Sequence, residues 1–253
     1  MIRTYLRSGA LEAGPWYVLP DELIPGGEAL VRNLLAGRRV LRALRAMPPP
    51  VLYCPDSFGH PATLPALARG FGHDLIIVWR GLGGRRWPRG DTFHWRAPDG
   101  ERVLLLHLAR DGYELGATLP ADDTEARARW LRMLGELAPR STTGVLFVPN
   151  GADHHARQRD LGPALAALAR VARPHHVAHS SLGAVAAALS ARAAETPGVP
   201  EISGELRDSY GHAWTLQGTL GARAIQKRRY ARVERALVRD PEPWVALAVR
   251  RGG

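Results

Sequence analysis

The sequence predicts an α/β fold, in which strands form a parallel sheet or a barrel and helices cover it. Short apolar runs alternate with longer segments of helical periodicity over most of the 253 residues. Segments rich in proline and glycine separate the two patterns. Apolar residues make up 45% of the chain, which is enough for a hydrophobic core and argues against a disordered chain.

The N-terminal part of the chain has the most regular alternation. Residues 16–19 form a predicted strand, followed by a predicted helix over residues 28–47, where leucines recur with helical spacing until three prolines end it. Predicted strands at residues 51–53 and 75–79 then enclose a short predicted helix at residues 62–69. This strand–helix–strand order is typical of parallel sheets.

The next part of the chain begins with a predicted hairpin, whose strands flank the turn residues 97–100. Asp122 or Asp123 is a suitable cap for the helix that follows. The predicted strands here are residues 92–95, 103–108, 145–148 and 176–179, and the predicted helices are residues 124–137, 161–171 and an alanine-rich segment ending near residue 194.

The pattern changes after residue 200. Residues 214–237 predict one long helix, and residues 241–249 predict another. We therefore expect two domains, an α/β domain over residues 1–200 and the start of a helical domain over residues 201–253.

Composition excludes several classes of protein. Cys54 is the single cysteine, so the chain has no internal disulfide and fits a cytoplasmic location. No apolar run is long enough for a membrane span, so no membrane partner is expected. The net charge of +10 comes almost wholly from arginines that are spread along the chain, and no nucleic-acid-binding motif accompanies them. A nucleic-acid partner is therefore not expected.

Two aspartates follow predicted strands, where functional residues of parallel α/β folds collect. Asp56 follows the strand at residues 51–53, and its loop favours three roles: nucleophile, metal ligand or helix cap, with the cap favoured on local grounds. Asp153 follows residues 145–148, and together the two carboxylates suit glycoside hydrolysis. His154 and His155 beside it are candidate metal ligands, of which at most one is expected to bind. Arg80, after a third strand, suits either a substrate contact or a structural ion pair.

Four stretches, in order along the chain, resemble glycoside hydrolase family 38, the α-mannosidases. Residues 55–61 resemble its Asp-x-Phe-Gly-His signature, and residues 150–154 resemble the segment that supplies its acid/base aspartate. The other two stretches are residues 14–22 with 27–35, and residues 204–207 with 220–229. The resemblance implies a zinc-assisted, retaining hydrolase of α-mannosides. It makes Asp56 the nucleophile and a zinc ligand, Asp153 the acid/base, and Arg80 and His154 substrate-binding residues.

The same resemblance implies an incomplete site. The family's first strand ends in two zinc ligands in a His-x-Asp motif, and this chain starts after that strand, so we expect a (β/α) barrel lacking its first strand. The fourth family ligand aligns with Leu216, and His212 is a candidate substitute. Zinc would then be held here by Asp56 and His212 alone. The alternatives are a catalytically inactive carbohydrate-binding protein and another metal-dependent hydrolase, such as a polysaccharide deacetylase. The oligomeric state stays open.

Overall fold

The computed structural model describes residues 1–83, 86–213 and 217–252. Within them, five strands form one open, mixed sheet in the order β1-β2-β4-β3-β5. The α/β prediction is confirmed, whereas the barrel, expected to lack its first strand, is not confirmed by these five strands. The strands are β1 (Val51–Cys54), β2 (Leu75–Val78), β3 (Thr92–Arg96), β4 (Arg102–His107) and β5 (Glu201–Ser203).

The helices agree closely with the sequence prediction. Asp122 is the cap of α4, since its side chain accepts hydrogen bonds from the backbone N–H groups of Thr124 and Glu125. The described helices lack the combination of length and apolarity that a bilayer span needs. They are α1 (Ile2–Ser8), α2 (Gly27–Leu44), α3 (Leu64–Gly70), α4 (Asp123–Leu137), α5 (Leu161–Val171), α6 (Leu182–Glu195), α7 (Ala224–Arg239) and α8 (Pro241–Arg250).

The long helix predicted over residues 214–237 differs in its first part. Residues 214–216 lie outside the described residues, and a short 3₁₀ helix, Gln217–Gly221, precedes α7. A second 3₁₀ helix, Gly112–Glu114, follows β4.

The strand predicted at residues 16–19 is irregular, because a side chain takes the place of a neighbouring strand. The side-chain oxygen of Asn33, in α2, accepts hydrogen bonds from the backbone N–H groups of Tyr17 and Val18. The Asn33 amide donates back to the Val18 carbonyl. The predicted strands at residues 145–148 and 176–179 are irregular as well. In these three segments the sequence pattern therefore predicted neither strand pairing nor full burial, since Tyr17 and Val18 are 65% and 62% exposed.

Apolar side chains cover both faces of the sheet, as expected for strands buried on two sides. On one face, Leu52 and Ile76 pack with Leu34 of α2 and Leu64 of α3. On the other face, strand residues pack against the alanine-rich helix α6. A third cluster joins α4 to α5.

Three parallel strands bring their carboxyl ends to one edge of the sheet. Cys54 of β1 pairs in register with Val78 of β2, which pairs with His107 of β4. The loops that follow these three strands therefore start side by side. Strand β3 runs antiparallel to β4, so the turn between them lies at the opposite edge.

Burial of His73 predicts a loss of stability in acid. Burial, and then the charge of Arg38, lower the pKa of His73 to about 4. In the unfolded chain this histidine binds a proton near pH 6.5. Its contribution to the free energy of unfolding is therefore fully present above pH 6.5 and is lost as the pH falls towards 4. Between pH 7 and pH 5 we expect the free energy of unfolding to drop by about 2 kcal/mol through this residue.

Urea unfolding at the two pH values measures this drop. The His73→Leu variant should lose about 2 kcal/mol less than wild type over that range, whereas His155→Leu, at an exposed position, should behave as wild type. Equal pH dependence in His73→Leu and wild type would contradict the prediction.

Candidate functional site

An ion pair links the first two loops at the carboxyl edge of the sheet. Asp56 follows β1 and Arg80 follows β2, and the Arg80 Nε donates to the Asp56 Oδ1 over 2.7 Å. The Arg80 side chain is 8% exposed and the Asp56 side chain is 36% exposed. Arg80, for which the sequence left a substrate contact or an ion pair open, thus forms an ion pair with Asp56, with the arginine buried and the carboxylate open to solvent.

Aromatic rings hold the arginine in place. The Arg80 guanidinium lies 4.2 Å from the centroid of the Trp79 ring and 5.3 Å from that of Phe58. Cation–π contacts of this kind restrict the arginine as well as stabilise it. The position of the Asp56 carboxylate is consequently fixed by a rigid partner.

Both sequence-predicted aspartates line one cavity of about 440 Å³. This brings Asp56, from the loop after β1, together with Asp153, from a loop far along the chain. The remaining lining residues are Leu19, Tyr53, Pro55, Tyr113, Pro149, Asn150, Gly151 and Ala152. Two carboxylates at one cavity are the arrangement that acid/base and nucleophilic catalysis on a glycoside requires.

Tyr113 is a site residue that the sequence analysis missed. Its hydroxyl donates to the Asp153 Oδ2 over 3.0 Å. Burial is the main cause that raises the pKa of Tyr113, followed by the hydrogen bond to Asp153 and the charge of Asp56. At neutral pH, Tyr113 is therefore a protonated donor.

The loop that carries Tyr113 has a tight path. Gly112 has a φ of 55°, and a Cβ there would lie 2.4 Å from the Trp79 ring. The Tyr113 ring packs edge-on against the same tryptophan, at 5.3 Å between centroids. This loop follows β4, the third of the parallel strands. Its place at the carboxyl end of a strand is the sequence signal that could have identified it as part of the site.

A buried pair supports Arg80 from behind. The His60 Nε2 lies 3.1 Å from the Arg80 carbonyl oxygen, and its Nδ1 lies 2.8 Å from the Glu22 Oε2. A carbonyl only accepts, so the Nε2 carries a proton and donates it. Both side chains are fully buried. Sequence analysis placed Glu22 and His60 in the resembling stretches without a role.

The three candidate histidines, His154, His155 and His212, are not among the residues that line this cavity. His154 is exposed and has a φ of 61°. His212 lines a second cavity of about 410 Å³, where its Nε2 donates to the Leu108 carbonyl over 2.9 Å. Its ring stacks on His107 at 4.1 Å between centroids. Burial, followed by the charge of Arg140, lowers the pKa of His212 to about 4, so it is neutral at pH 7.

The described residues do not assemble a metal site around Asp56. Over residues 1–83, 86–213 and 217–252, one group of three side chains offers metal-binding atoms within 4.8 Å of one another, and it consists of Glu22, Cys54 and His60. Neither Asp56 nor His212 belongs to it. Leu216, the position aligned with the fourth family ligand, lies outside the described residues.

Comparisons with known proteins agree on one family. The model for the glycosyl hydrolases family 38 N-terminal domain matches residues 1–180. A relative from Halalkalibacterium halodurans named "Putative mannosylglycerate hydrolase" is 30% identical over 97% of this chain. An alpha-mannosidase of Saccharomyces cerevisiae is 31% identical over 38% of this chain and 9% of its own length.

A solved structure is similar to this chain as well. The crystal structure of an alpha-mannosidase from Enterococcus faecalis matches with a TM-score of 0.75 and 26% identity over 81% of this chain and 23% of its own. The chain spans 28% of the length of the Halalkalibacterium relative. These relatives are thus several times longer than the chain described here.

Proposed function

The chain belongs to glycosyl hydrolases family 38, and from this premise we propose that it takes part in hydrolysis of α-mannosides with retention of configuration. Asp56 is the proposed nucleophile and Asp153 the proposed acid/base. The observation that supports this most directly is that both carboxylates line one cavity, with Arg80 bound to the first and Tyr113 to the second. The names of the relatives support a mannoside as substrate.

The contacts of each carboxylate oxygen support a proposed task for it. Arg80 contacts the Asp56 Oδ1, so the Oδ2 attacks the anomeric carbon while the arginine stabilises the ionised carboxylate. Tyr113 contacts the Asp153 Oδ2, so the Oδ1 carries the proton that passes to the departing oxygen. The same Asp153 oxygen then takes a proton from water, which attacks the glycosyl-enzyme and releases Asp56. Arg80 and His154 are the proposed substrate-binding residues.

Zinc does not enter this mechanism. The described residues offer Asp56 no group of metal ligands, and His212 lies at a different cavity. An ion at Asp56 would need ligands from outside the described residues. The described residues therefore do not fit the zinc ion that the family resemblance predicts at Asp56.

A second candidate function is carbohydrate binding without catalysis. It is favoured by this same lack of a ligand set at Asp56. The two functions differ in turnover, since an inactive binder would hold a mannoside without cleaving it.

The stereochemistry of the product tests the proposed reaction. We expect proton NMR of an aryl α-mannoside digest to show α-mannose as the first-formed product, because a double displacement retains configuration. A first-formed β-mannose would overturn the retaining mechanism, and wild-type protein without turnover would support the binding function instead.

The domain division and the cellular location stay proposals. We propose a partial catalytic domain over residues 1–200 and the start of a helical domain over residues 201–253, which contains α7 and α8. Strand β5 begins at this division and pairs with β3. The single, buried cysteine supports a cytoplasmic location.

Removing the Tyr113 hydroxyl should weaken catalysis through Asp153. Asp153 becomes charged as its proton passes to the departing oxygen, and a hydrogen bond to a charged group contributes about 1.5–3 kcal/mol. Tyr113→Phe is therefore expected to lower kcat/KM by roughly 10- to 100-fold. Steady-state kinetics on an aryl α-mannoside measures this loss.

A double-mutant comparison identifies its origin. In an Asp153→Asn background, Tyr113→Phe should cost much less than it does in wild type, because the contact is already altered. Equal losses in both backgrounds would contradict a role through Asp153.

A further inference from the structure

Three buried side chains with metal-binding atoms meet behind the proposed active site. Glu22 comes from the loop before α2, Cys54 ends β1, and His60 follows the Asp56 loop. Glu22 is 2% exposed, and Cys54 and His60 are completely buried. Their ligand atoms all lie within 4.8 Å of one another. A thiol, an imidazole and a carboxylate are the three ligand types that zinc prefers in proteins.

The second imidazole nitrogen is arranged as in a metal-bound histidine. The His60 Nε2–H donates to the Arg80 carbonyl over 3.1 Å. Histidines that bind a metal through one nitrogen commonly donate the other N–H to a carbonyl or a carboxylate, which fixes the ring. The Nδ1 is thereby the nitrogen directed to Glu22, at 2.8 Å from its Oε2.

One carboxylate oxygen of the cluster lacks a partner. Within the part of the chain that the structure describes, the buried Glu22 Oε1 has no hydrogen bond of good geometry, and only the weakly donating Cys54 thiol interacts with this carboxylate from the third side chain of the cluster. An unsatisfied charged oxygen inside a core is costly. A cation between the three side chains would satisfy it, with Glu22 able to offer both oxygens beside the Cys54 Sγ and the His60 Nδ1.

We propose that Glu22, Cys54 and His60 form a structural zinc site in the core, separate from the cavity that Asp56 lines. The proposal uses only this chain's buried side chains and is independent of the proposed hydrolase activity. Neither Asp56 nor His212 contributes a ligand to it.

The charges of the cluster balance when zinc binds. Zinc binds cysteine as a thiolate, glutamate as a carboxylate and histidine as a neutral imidazole. The single negative charges of Cys54 and Glu22 then match the double positive charge of the ion. The resulting site is neutral overall and suits an apolar core.

The site would strengthen the support of Arg80. Zinc would hold the His60 ring, whose Nε2–H holds the Arg80 backbone, and Arg80 in turn holds Asp56. Since all three ligands are buried, the ion is expected to enter while the chain folds and to leave slowly afterwards.

Metal content and cobalt spectroscopy of the full chain test the site. Protein purified from zinc-supplemented cells should contain about one zinc ion per chain, as measured by inductively coupled plasma mass spectrometry. Protein produced with cobalt in place of zinc should show a thiolate-to-cobalt charge-transfer band in the near ultraviolet. Because Cys54 is the single cysteine, such a band can only come from this residue.

Two variants locate the ion. Cys54→Val keeps the side-chain volume close to that of cysteine and should lose both the zinc and the band, with the fold checked by circular dichroism. Asp56→Asn, the matched control two positions further along the chain, should keep both. A wild-type protein without the cobalt band would overturn the proposal whatever its zinc content. So would zinc that persists in Cys54→Val but is lost in Asp56→Asn.

Discussion

Replacing Asp56 with asparagine is expected to reduce hydrolysis of an aryl α-mannoside by on the order of 10⁴-fold or more, as loss of a covalent nucleophile does in other hydrolases. The amide keeps the size of the side chain but cannot attack the anomeric carbon. It also removes the negative charge that Arg80 pairs with over 2.7 Å. Release of the aryl alcohol, followed by absorbance, measures the rate.

The matched control is Asp99→Asn in the turn between β3 and β4. This exposed aspartate lies at the sheet edge opposite the cavity, so its amide should leave turnover unchanged. Intact-protein mass spectrometry with a slow fluorinated mannosyl substrate gives a second measurement, in which wild type but not Asp56→Asn gains one sugar. Equal turnover in wild type and Asp56→Asn would show that Asp56 is not the nucleophile.

Truncation of Trp95 is expected to destabilise the fold more than most single changes. This side chain is completely buried in β3, donates its Nε1–H to the Gly204 carbonyl over 3.1 Å, and contacts the His60 ring edge-on. Trp95→Ala should lower the free energy of unfolding by about 3–5 kcal/mol, through the lost contacts and the cavity left behind.

Trp244→Ala is the control for this change. Trp244, in α8, is 67% exposed, so its truncation should alter stability by no more than about 0.5 kcal/mol. Urea unfolding followed by circular dichroism measures both variants without relying on tryptophan fluorescence. Similar losses in the two variants would contradict the burial-based prediction.

The sequence predicted the secondary structure correctly where the local pattern and the tertiary contacts of a segment favour the same structure. Helix α5 occupies the residues predicted for it, and α4 starts at one of the two predicted caps. The hairpin of β3 and β4 also formed as predicted. In these segments, helical periodicity or turn residues determine the structure over a short range.

The sequence was less informative where contacts with residues distant in the chain determine the structure. Residues 16–19 have an apolar strand pattern, but Asn33 from α2 binds their backbone. A barrel lacking its first strand was implied by family resemblance, whereas the order of the strands depends on contacts that no local pattern records. Among site residues, Asp56 and Asp153 could be proposed from strand ends, and the structure places both at one cavity.

Tyr113 and the Glu22–His60 pair could not be derived in this way. The position of its loop after β4 could have drawn attention to Tyr113, but its role follows only from the contact with Asp153 in the folded chain. Glu22 and His60 lie 38 positions apart in the sequence. Their pairing depends on how the loop before α2 packs under the Asp56 loop.

The turn between β3 and β4 offers an attachment point for probes. Strand β4 separates this turn from the cavity by six residues, or roughly 20 Å at about 3.4 Å per residue. Cys54 is buried and therefore protected from alkylating reagents. A cysteine introduced at the exposed Pro98 would thus take a single fluorophore or surface tether, and carbohydrate binding could be followed by fluorescence or on a sensor chip with the cavity mouth left free.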